Sequence, residues 1–504
     1  MCNTCLTDLV RLMIMGLKKN ILYSGFLTTS LYIFQFITYP YVARILGVTN
    51  IGICNFVQSI VQYFSLFAML GISTLGVREI AKCNGDKEKL NSTFSQLFTL
   101  NFCFTFIVTL LYTGAVLFVP QFAPYKKLLY IGTSQLLFGT FAIEWLFRGI
   151  EDFKYITVRT LFVRLAYVIS IFLFVRDSND YDTYFVIYSG MIIANGVINW
   201  NYRRRFVKFS VQSFNAIKKY IKPYFYLGTQ LILTSLYTTF NTVYLGMICG
   251  DVQVGYYTTA TKIENIILAL YSSVTLVLMP RISSLMESGN EEGINHVIRF
   301  SFGLLFAFVF PCLVFTECFT EGVISLVAGS GYEGAVLPMK IVMPAMLIVG
   351  MEQILIVQIL MPGRADKQVF INSVLGAICS IVLNLLIVPR LQSIGSSIVW
   401  IASEFAVMCS ALYFVRKSYP VRIGLGKNVS AHFTWFLPLA IGLGLMKHLQ
   451  ISYWWSFAFG GITTLFYSHV ILQKVIRNQS YIEIYKFTIQ SIRQCLSLIH
   501  ISEP

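Results

Sequence analysis

Long apolar runs alternate with short polar gaps over nearly the whole chain. A helix needs about 20 apolar residues to cross a hydrocarbon core about 30 Å thick. Fourteen runs approach or exceed that length. The first seven are 21–42, 51–76, 94–119, 126–147, 155–175, 182–201 and 222–248. The other seven are 255–285, 296–327, 336–361, 368–388, 393–415, 430–447 and 453–473. Barrel strands would be shorter and would alternate apolar with polar residues, so helices satisfy the pattern better. The expectation is an all-α integral membrane protein with about 14 transmembrane helices.

Polar residues inside these runs recur at helical spacing. The first run carries Ser24, Thr28, Tyr32, Gln35 and Tyr39, and the second Asn55, Gln58 or Ser59, Gln62 and Ser65. The seventh carries Gln230, Thr234, Tyr237, Asn241 and Tyr244, and the eighth Thr258, Thr261, Asn265 and Ser272. Steps of three and four put each set on one helix face. Such a face turns from lipid toward water or another helix. One stripe alone reads as interhelical hydrogen bonding. Four, at corresponding places in the two halves of the chain, also read as the wall of a shared hydrophilic cavity.

The longest polar connection is strongly basic, with Arg203, Arg204, Arg205, Lys208, Lys218, Lys219 and Lys222. It separates an N-terminal lobe of six helices (21–205) from a C-terminal lobe of six (222–417), with 206–221 as the linker. Two further helices occupy 430–475, flanked by an N-terminal segment, 1–20, and a tail, 476–495. The halves echo each other weakly. Gly47-Val48-Thr49-Asn50-Ile51-Gly52 corresponds to Gly250-Asp251-Val252-Gln253-Val254-Gly255, Pro124-Tyr125 to Gly331-Tyr332, and Gly149 to Asp152 to Gly363 to Asp366. The offsets rise slowly from 203 to 214. Six helices per half give both halves one orientation, hence a parallel repeat with a site expected between them.

Composition agrees. The 504 residues are 56% hydrophobic and 12% charged, with a mean hydropathy of +0.69. A soluble domain is about 25% charged, so most of this surface faces lipid. The net charge of +15 is spread through short loops rather than gathered on a soluble module, which excludes nucleic acid as a partner. With both termini on the cytoplasmic side, 29 Lys and Arg fall inside and seven outside. That asymmetry places the N- and C-termini in the cytoplasm. No cleavage-site pattern follows the first apolar run, so no signal peptide is expected. Met15 reads as a more natural start than Met1. The last nine residues, 496–504, read as a translated sequencing adapter.

The eleven cysteines lie mostly in apolar runs without paired spacings, and Cys2–Cys5 lacks a second pair, so neither disulfides nor a metal site is expected. Phosphate-loop, zinc-protease and serine-hydrolase motifs are absent. The charged residues in or beside the runs are Arg44, Arg148, Arg164 and Lys262, and Glu144, Glu264, Glu352 and Glu404. Glu144 and Arg148, four apart, can pair. Arg164 and Lys262 are costly within a span unless they bind something, and arginine suits phosphate. The acids could carry H⁺ or Na⁺, or neutralise the cations. No other cofactor is expected.

Several segments resemble the polysaccharide transporter family of the multidrug/oligosaccharidyl-lipid/polysaccharide exporter superfamily, which includes flippases for O-antigen and capsular repeat units. They are Tyr39-Pro40-Tyr41-Val42-Ala43-Arg44-Ile45-Leu46-Gly47, Gly71-Ile72-Ser73, Gly76-Val77-Arg78-Glu79 and Glu144-Trp145-Leu146-Phe147-Arg148-Gly149-Ile150-Glu151-Asp152-Phe153, then Tyr155, Ile156 and Arg159. The resemblance implies a lipid-linked sugar diphosphate as cargo, flipped from the inner to the outer leaflet of a bacterial cytoplasmic membrane. It also implies a cationic cavity for the diphosphate, with Arg44 and Arg148 in the matching motifs. A membrane polymerase and a chain-length regulator are the partners expected for surface polysaccharide such as O-antigen, lipopolysaccharide or capsule. The alternatives are a cation-coupled multidrug exporter of the same fold, which would want a carboxylate inside the N-terminal lobe, and a membrane glycosyltransferase, which would want an acidic catalytic loop.

Overall fold

The computed structural model describes residues 2–83, 85–419, 425–448, 452–486 and 488–490, with side chains for Ser30 and from Ile33 onward apart from residues 276, 277, 425, 427 and 448. Residues 496–504, assigned above to an adapter, lie outside the described residues. Among those described there are helices and no strands. Among the described residues eight helices are long and apolar enough to cross a membrane, or ten if each of two bent pairs is one span. Two of the eight, Ile33–Ala81 and Asp366–Ser418, run 49 and 53 residues, more than twice the length of one crossing. Both contain a break, the first at Gly47 (φ 72°) and the second at Gln392 (φ 52°). Fourteen stays the count read from the sequence pattern.

Local chemistry sets the boundaries. Asp86 accepts from the amides of Glu88 and Lys89 and starts the helix Lys87–Phe118, and Asn290 accepts from Gly293 to start Glu291–Cys318. Outward faces are apolar: Leu111, Phe162, Leu386 and Phe466 are each more than 60% exposed. The interior instead holds polar side chains such as Thr93, Asn101, Asn241 and Ser396. That inverted distribution belongs to a protein solvated by hydrocarbon.

By packing, the chain forms two compact units. Unit 1 comprises Met1–Lys262, Val327–Ala335 and Ser373–Ser403, and unit 2 Ile263–Leu326, Val336–Asn372 and Glu404–Pro504. The lobes above follow helix order, whereas this division follows contact. Unit 1 has one core around Phe56, Tyr112 and Leu129 and another around Phe94, Trp145, Phe147 and Tyr224. In unit 2 the rings of Phe302, Phe306, Phe310 and Phe436 pack in series with His432.

The weak repeat has a physical counterpart in unit 1. Gly47 and Gly250 both adopt left-handed, extended backbone (φ/ψ 72°/170° and 83°/178°), and a helix runs on from each. Only glycine takes that conformation without strain. Five residues on, the two new helices cross at Gly52 and Gly255. A Cβ on Gly52 would run into the Asp251 carbonyl, and one on Gly255 into that of Val48. One turn later Asn55 donates to Thr258 at 2.8 Å. Tyr125 bonds Asp251, and its counterpart Tyr332 bonds the carbonyl of Ala43. Residues at the same repeat position meet each other, as they do beside a two-fold axis.

Candidate functional site

Just past that crossing, unit 1 holds a partly open cavity of about 360 Å³. Its floor is set by the helices after Gly47 and Gly250, which supply Asn55, Gln58, Ser59 and Gln62 on one side and Thr258, Thr261 and Lys262 on the other. Gln35, Thr38 and Tyr39 come from the helix before Gly47, and Arg164 and Tyr167 from Phe153–Phe174. Tyr184 and Tyr188 come from Tyr181–Tyr202. The structure thus brings ten residues singled out in the sequence together: Gln35, Tyr39, Asn55, Gln58, Ser59, Gln62, Arg164, Thr258, Thr261 and Lys262.

Among the described residues the lining contains two cations and no carboxylate. Lys262 donates from Nζ to Asn55 Oδ1 at 2.9 Å and sits 4.8 Å over the Tyr39 ring. Among the described residues neither Lys262 nor Arg164 forms an ion pair. The remaining groups are organised: Tyr39 donates to Thr259, and Gln135 holds Gln58 at 3.2 Å and Ser189 at 2.8 Å. Two cations, amides and hydroxyls in a partly apolar wall can bind a polyvalent anion and hydroxyl-rich groups next to it.

The sequence reading passed over Tyr167, Tyr184 and Tyr188. A signal existed, since Tyr167 lies three residues after Arg164 and the other two lie four apart, so each set shares a helix face. Tyrosine inside an apolar run reads equally well as packing.

Other candidates lie elsewhere. Arg44 is exposed and packs against Gly329. Arg148 is half-exposed and reaches Glu144 at 3.5 Å. The tighter partner of Glu144 is Arg159, at 2.7 Å, which also donates to Asn195 at 2.6 Å and is nearly fully buried. Asn241 donates to the Tyr257 hydroxyl and the Ser396 carbonyl, and Tyr237 is buried. Gln230 and Thr234 are half-buried and Asn265 is exposed; none lines the cavity. The side chains of Ser24 and Thr28 lie outside those described. Glu264, Glu352 and Glu404 all belong to unit 2.

A family model described as polysaccharide biosynthesis protein matches residues 17–286, more than half of the chain. The chain belongs to this family. Among curated proteins it is 24% identical over 406 residues to one from Escherichia coli (strain K12), named as a candidate O-antigen transporter. That match covers 80% of this chain and 98% of the relative. A Shigella dysenteriae protein of the same name is 26% identical over 275 residues, covering 53% of this chain and 68% of that one. Among solved structures, the lipid II flippase MurJ in an inward closed conformation superposes with a TM-score of 0.70 at 15% identity, covering 92% of this chain and all of that one. An outward-facing multidrug resistance MATE family transporter of the MOP superfamily gives 0.52 at 14% identity, covering 80% and 94%. These likenesses establish the fold. This polysaccharide biosynthesis family member is a multi-pass membrane protein with a transporter architecture.

Proposed function

We propose that the protein is a flippase, not an enzyme. It moves polyprenyl-diphosphate-linked oligosaccharide repeat units from the inner to the outer leaflet of a bacterial cytoplasmic membrane, for surface polysaccharide such as O-antigen, lipopolysaccharide or capsule. The observation that carries this reading is the unit 1 cavity, in which Arg164 and Lys262 project among amides, hydroxyls and tyrosines with no carboxylate among the described residues. A diphosphate supplies the anion that two unpaired cations call for, and the adjoining sugar supplies hydroxyls for Gln35, Asn55, Gln58 and Gln62. Tyrosine rings suit sugar faces, combining an apolar plane with a polar edge. A volume of about 360 Å³ holds the linkage region rather than a whole repeat unit. The lipid tail stays in the bilayer while the head group crosses by alternating access, with N- and C-termini cytoplasmic. A polymerase and a chain-length regulator would use the product. Family membership and the names of the relatives support the cargo class.

A cation-coupled multidrug exporter shares the fold. A cationic drug would meet like charge in this cavity, so the exporter reading ranks second. The test is complementation of a strain lacking its repeat-unit flippase, read as surface glycan against lipid-linked precursor retained inside. Restored export by the parent, with precursor trapped by Arg164→Ala or Lys262→Ala at equal membrane levels, is expected. Unchanged precursor with the parent, together with raised drug resistance, would transfer the assignment to the exporter.

A further inference from the structure

Outside the cavity, unit 1 holds a second place where arginine outnumbers acid. Arg148 and Arg159 share one carboxylate, Glu144, at 3.5 and 2.7 Å, and among the described residues neither has a second ion-pair partner. The three side chains together keep a positive charge. Access to them is graded: the Arg159 side chain is 4% exposed, Glu144 37% and Arg148 53%. Arg159 donates from Nη1 to Asn195 and from Nη2 to one Glu144 oxygen, while its Nε is buried with no hydrogen-bond partner among the described residues. Nε and Nη2 form one edge of the guanidinium, which takes two oxygens of a carboxylate or phosphate side by side. Glu144 fills half of that edge, because its other oxygen is turned to Arg148. A phosphate has oxygens enough to fill the whole edge and still reach Arg148. Just before Glu144, the buried Ile143 adopts left-handed backbone (φ 37°, ψ 33°). A β-branched residue is strained there.

The two helices that hold this group also wall the cavity. Arg159 precedes Arg164 by five residues on Phe153–Phe174, about 7.5 Å of helix rise. Asn195, on Tyr181–Tyr202, donates to the Met191 carbonyl at 2.9 Å, and Met191 lines the cavity. On the far side, the Tyr155 ring lies 6.0 Å from the Arg159 guanidinium and stacks on Tyr202, next to Arg203. The group therefore stands between the cavity and the basic linker, at the end read as cytoplasmic. Val158 and Phe162 of the same helix are more than half exposed on its outer face, where lipid lies.

We propose that Glu144, Arg148 and Arg159 form a loading site for the cargo diphosphate, in which the Glu144 carboxylate stands where a phosphate binds and is displaced by it. The inference rests on the flippase reading and adds a step before the cavity. With its tail in the bilayer, the arriving diphosphate meets the exposed Arg148, exchanges with Glu144 on Arg159 and passes on to Arg164. Between cargoes Glu144 spares the buried guanidinium the cost of standing without an anion. By returning to Arg159 it also favours release of the diphosphate toward the cavity.

The test is binding of inorganic pyrophosphate to the full chain in detergent, in an Arg164→Gln/Lys262→Gln background that disables the cavity. Weaker, salt-sensitive binding should remain. Adding Arg148→Gln should weaken it roughly tenfold and adding Glu144→Gln should strengthen it roughly tenfold, the low end for one charge-assisted hydrogen bond. Pyrophosphate should raise the unfolding temperature of Glu144→Gln more than that of the parent. In the complementation strain, Arg148→Gln with an intact cavity should trap part of the precursor. No residual pyrophosphate binding in the cavity-disabled background would overturn the loading site and leave the cavity assignment standing. A Glu144→Gln variant that binds no tighter and is destabilised without recovery by pyrophosphate would make this a structural ion pair and also overturn it. Export at the parent level by Arg148→Gln, with its pyrophosphate binding weakened, would make this a site for a free anion and overturn the loading role. If Glu144→Gln does not fold, Arg148→Gln decides. Failure of the parent itself to bind pyrophosphate would remove the diphosphate cargo and the loading site together.

Discussion

Lys262→Gln isolates the charge of one cavity cation with little change of shape. Lys262 has no carboxylate partner among the described residues, and its ammonium rests on the Asn55 amide oxygen and the Tyr39 ring. A glutamine amide can keep a hydrogen bond to Asn55, and no acid is left unpaired, so the fold should tolerate the change. A phosphate in the cavity loses one charge-assisted hydrogen bond, a loss of roughly 1.5–3 kcal/mol, or roughly 10- to 150-fold in affinity. Arg164→Gln should cost a similar amount. The two cations stand on different helices but act on the same diphosphate, so the double variant should depart from simple additivity. The assay is binding of inorganic pyrophosphate to purified protein in detergent, with the same titration using phosphate to report dependence on ligand charge. The pyrophosphate affinity of the parent should fall as salt rises. Equal pyrophosphate affinity in parent, single and double variants would refute the assignment of these cations to a diphosphate, whatever the complementation result.

The helix crossing in unit 1 should be sensitive to one methyl group. Gly52→Ala or Gly255→Ala should lower thermal stability by the roughly 1–3 kcal/mol of an overpacked contact, whereas Gly114→Ala, with open space at its Cβ, should be neutral or stabilising. Thermal unfolding in detergent distinguishes them. Arg159→Ala should reduce the amount of folded protein more than Arg148→Ala, because Arg159 is buried and bridges Glu144 and Asn195 while the Arg148 side chain is 53% exposed. Breaking a fully buried pair costs roughly 3–5 kcal/mol, and the partial exposure of Glu144 moves the expectation below that range. Tyr125→Phe removes a hydrogen bond to Asp251 and should destabilise by about 1 kcal/mol, read in the same unfolding assay.

The membrane class and helical fold were legible because apolar runs of spanning length leave few alternatives. The echo at Gly47 and Gly250 was legible because a glycine conformation left its residue in the sequence at both places. The cavity wall was partly legible. Helical steps marked Gln35, Asn55, Gln58 and Gln62, but the same periodicity marked Gln230 and Asn241, where the structure bends between Thr238 and Phe240 and turns Asn241 into packing. Periodicity identifies a polar face and does not say what the face meets. Glu144 shows the complementary gap. Its four-residue partner Arg148 was visible, whereas the shorter bond to Arg159 spans fifteen residues and a turn.

The meeting of Asn55 with Thr258 bears on how the chain could have arisen. If the repeat descends from a duplicated segment, each residue near the pseudo-two-fold axis once faced a copy of itself. Lys262 occupies the position that corresponds to Ser59 in the first copy, and both line the same cavity. Identical copies would have carried either two serines there or two lysines confronting each other. The lone lysine is therefore a mark of divergence: fusing two copies into one chain freed each to mutate alone, and a charge could be placed beside the axis once instead of twice.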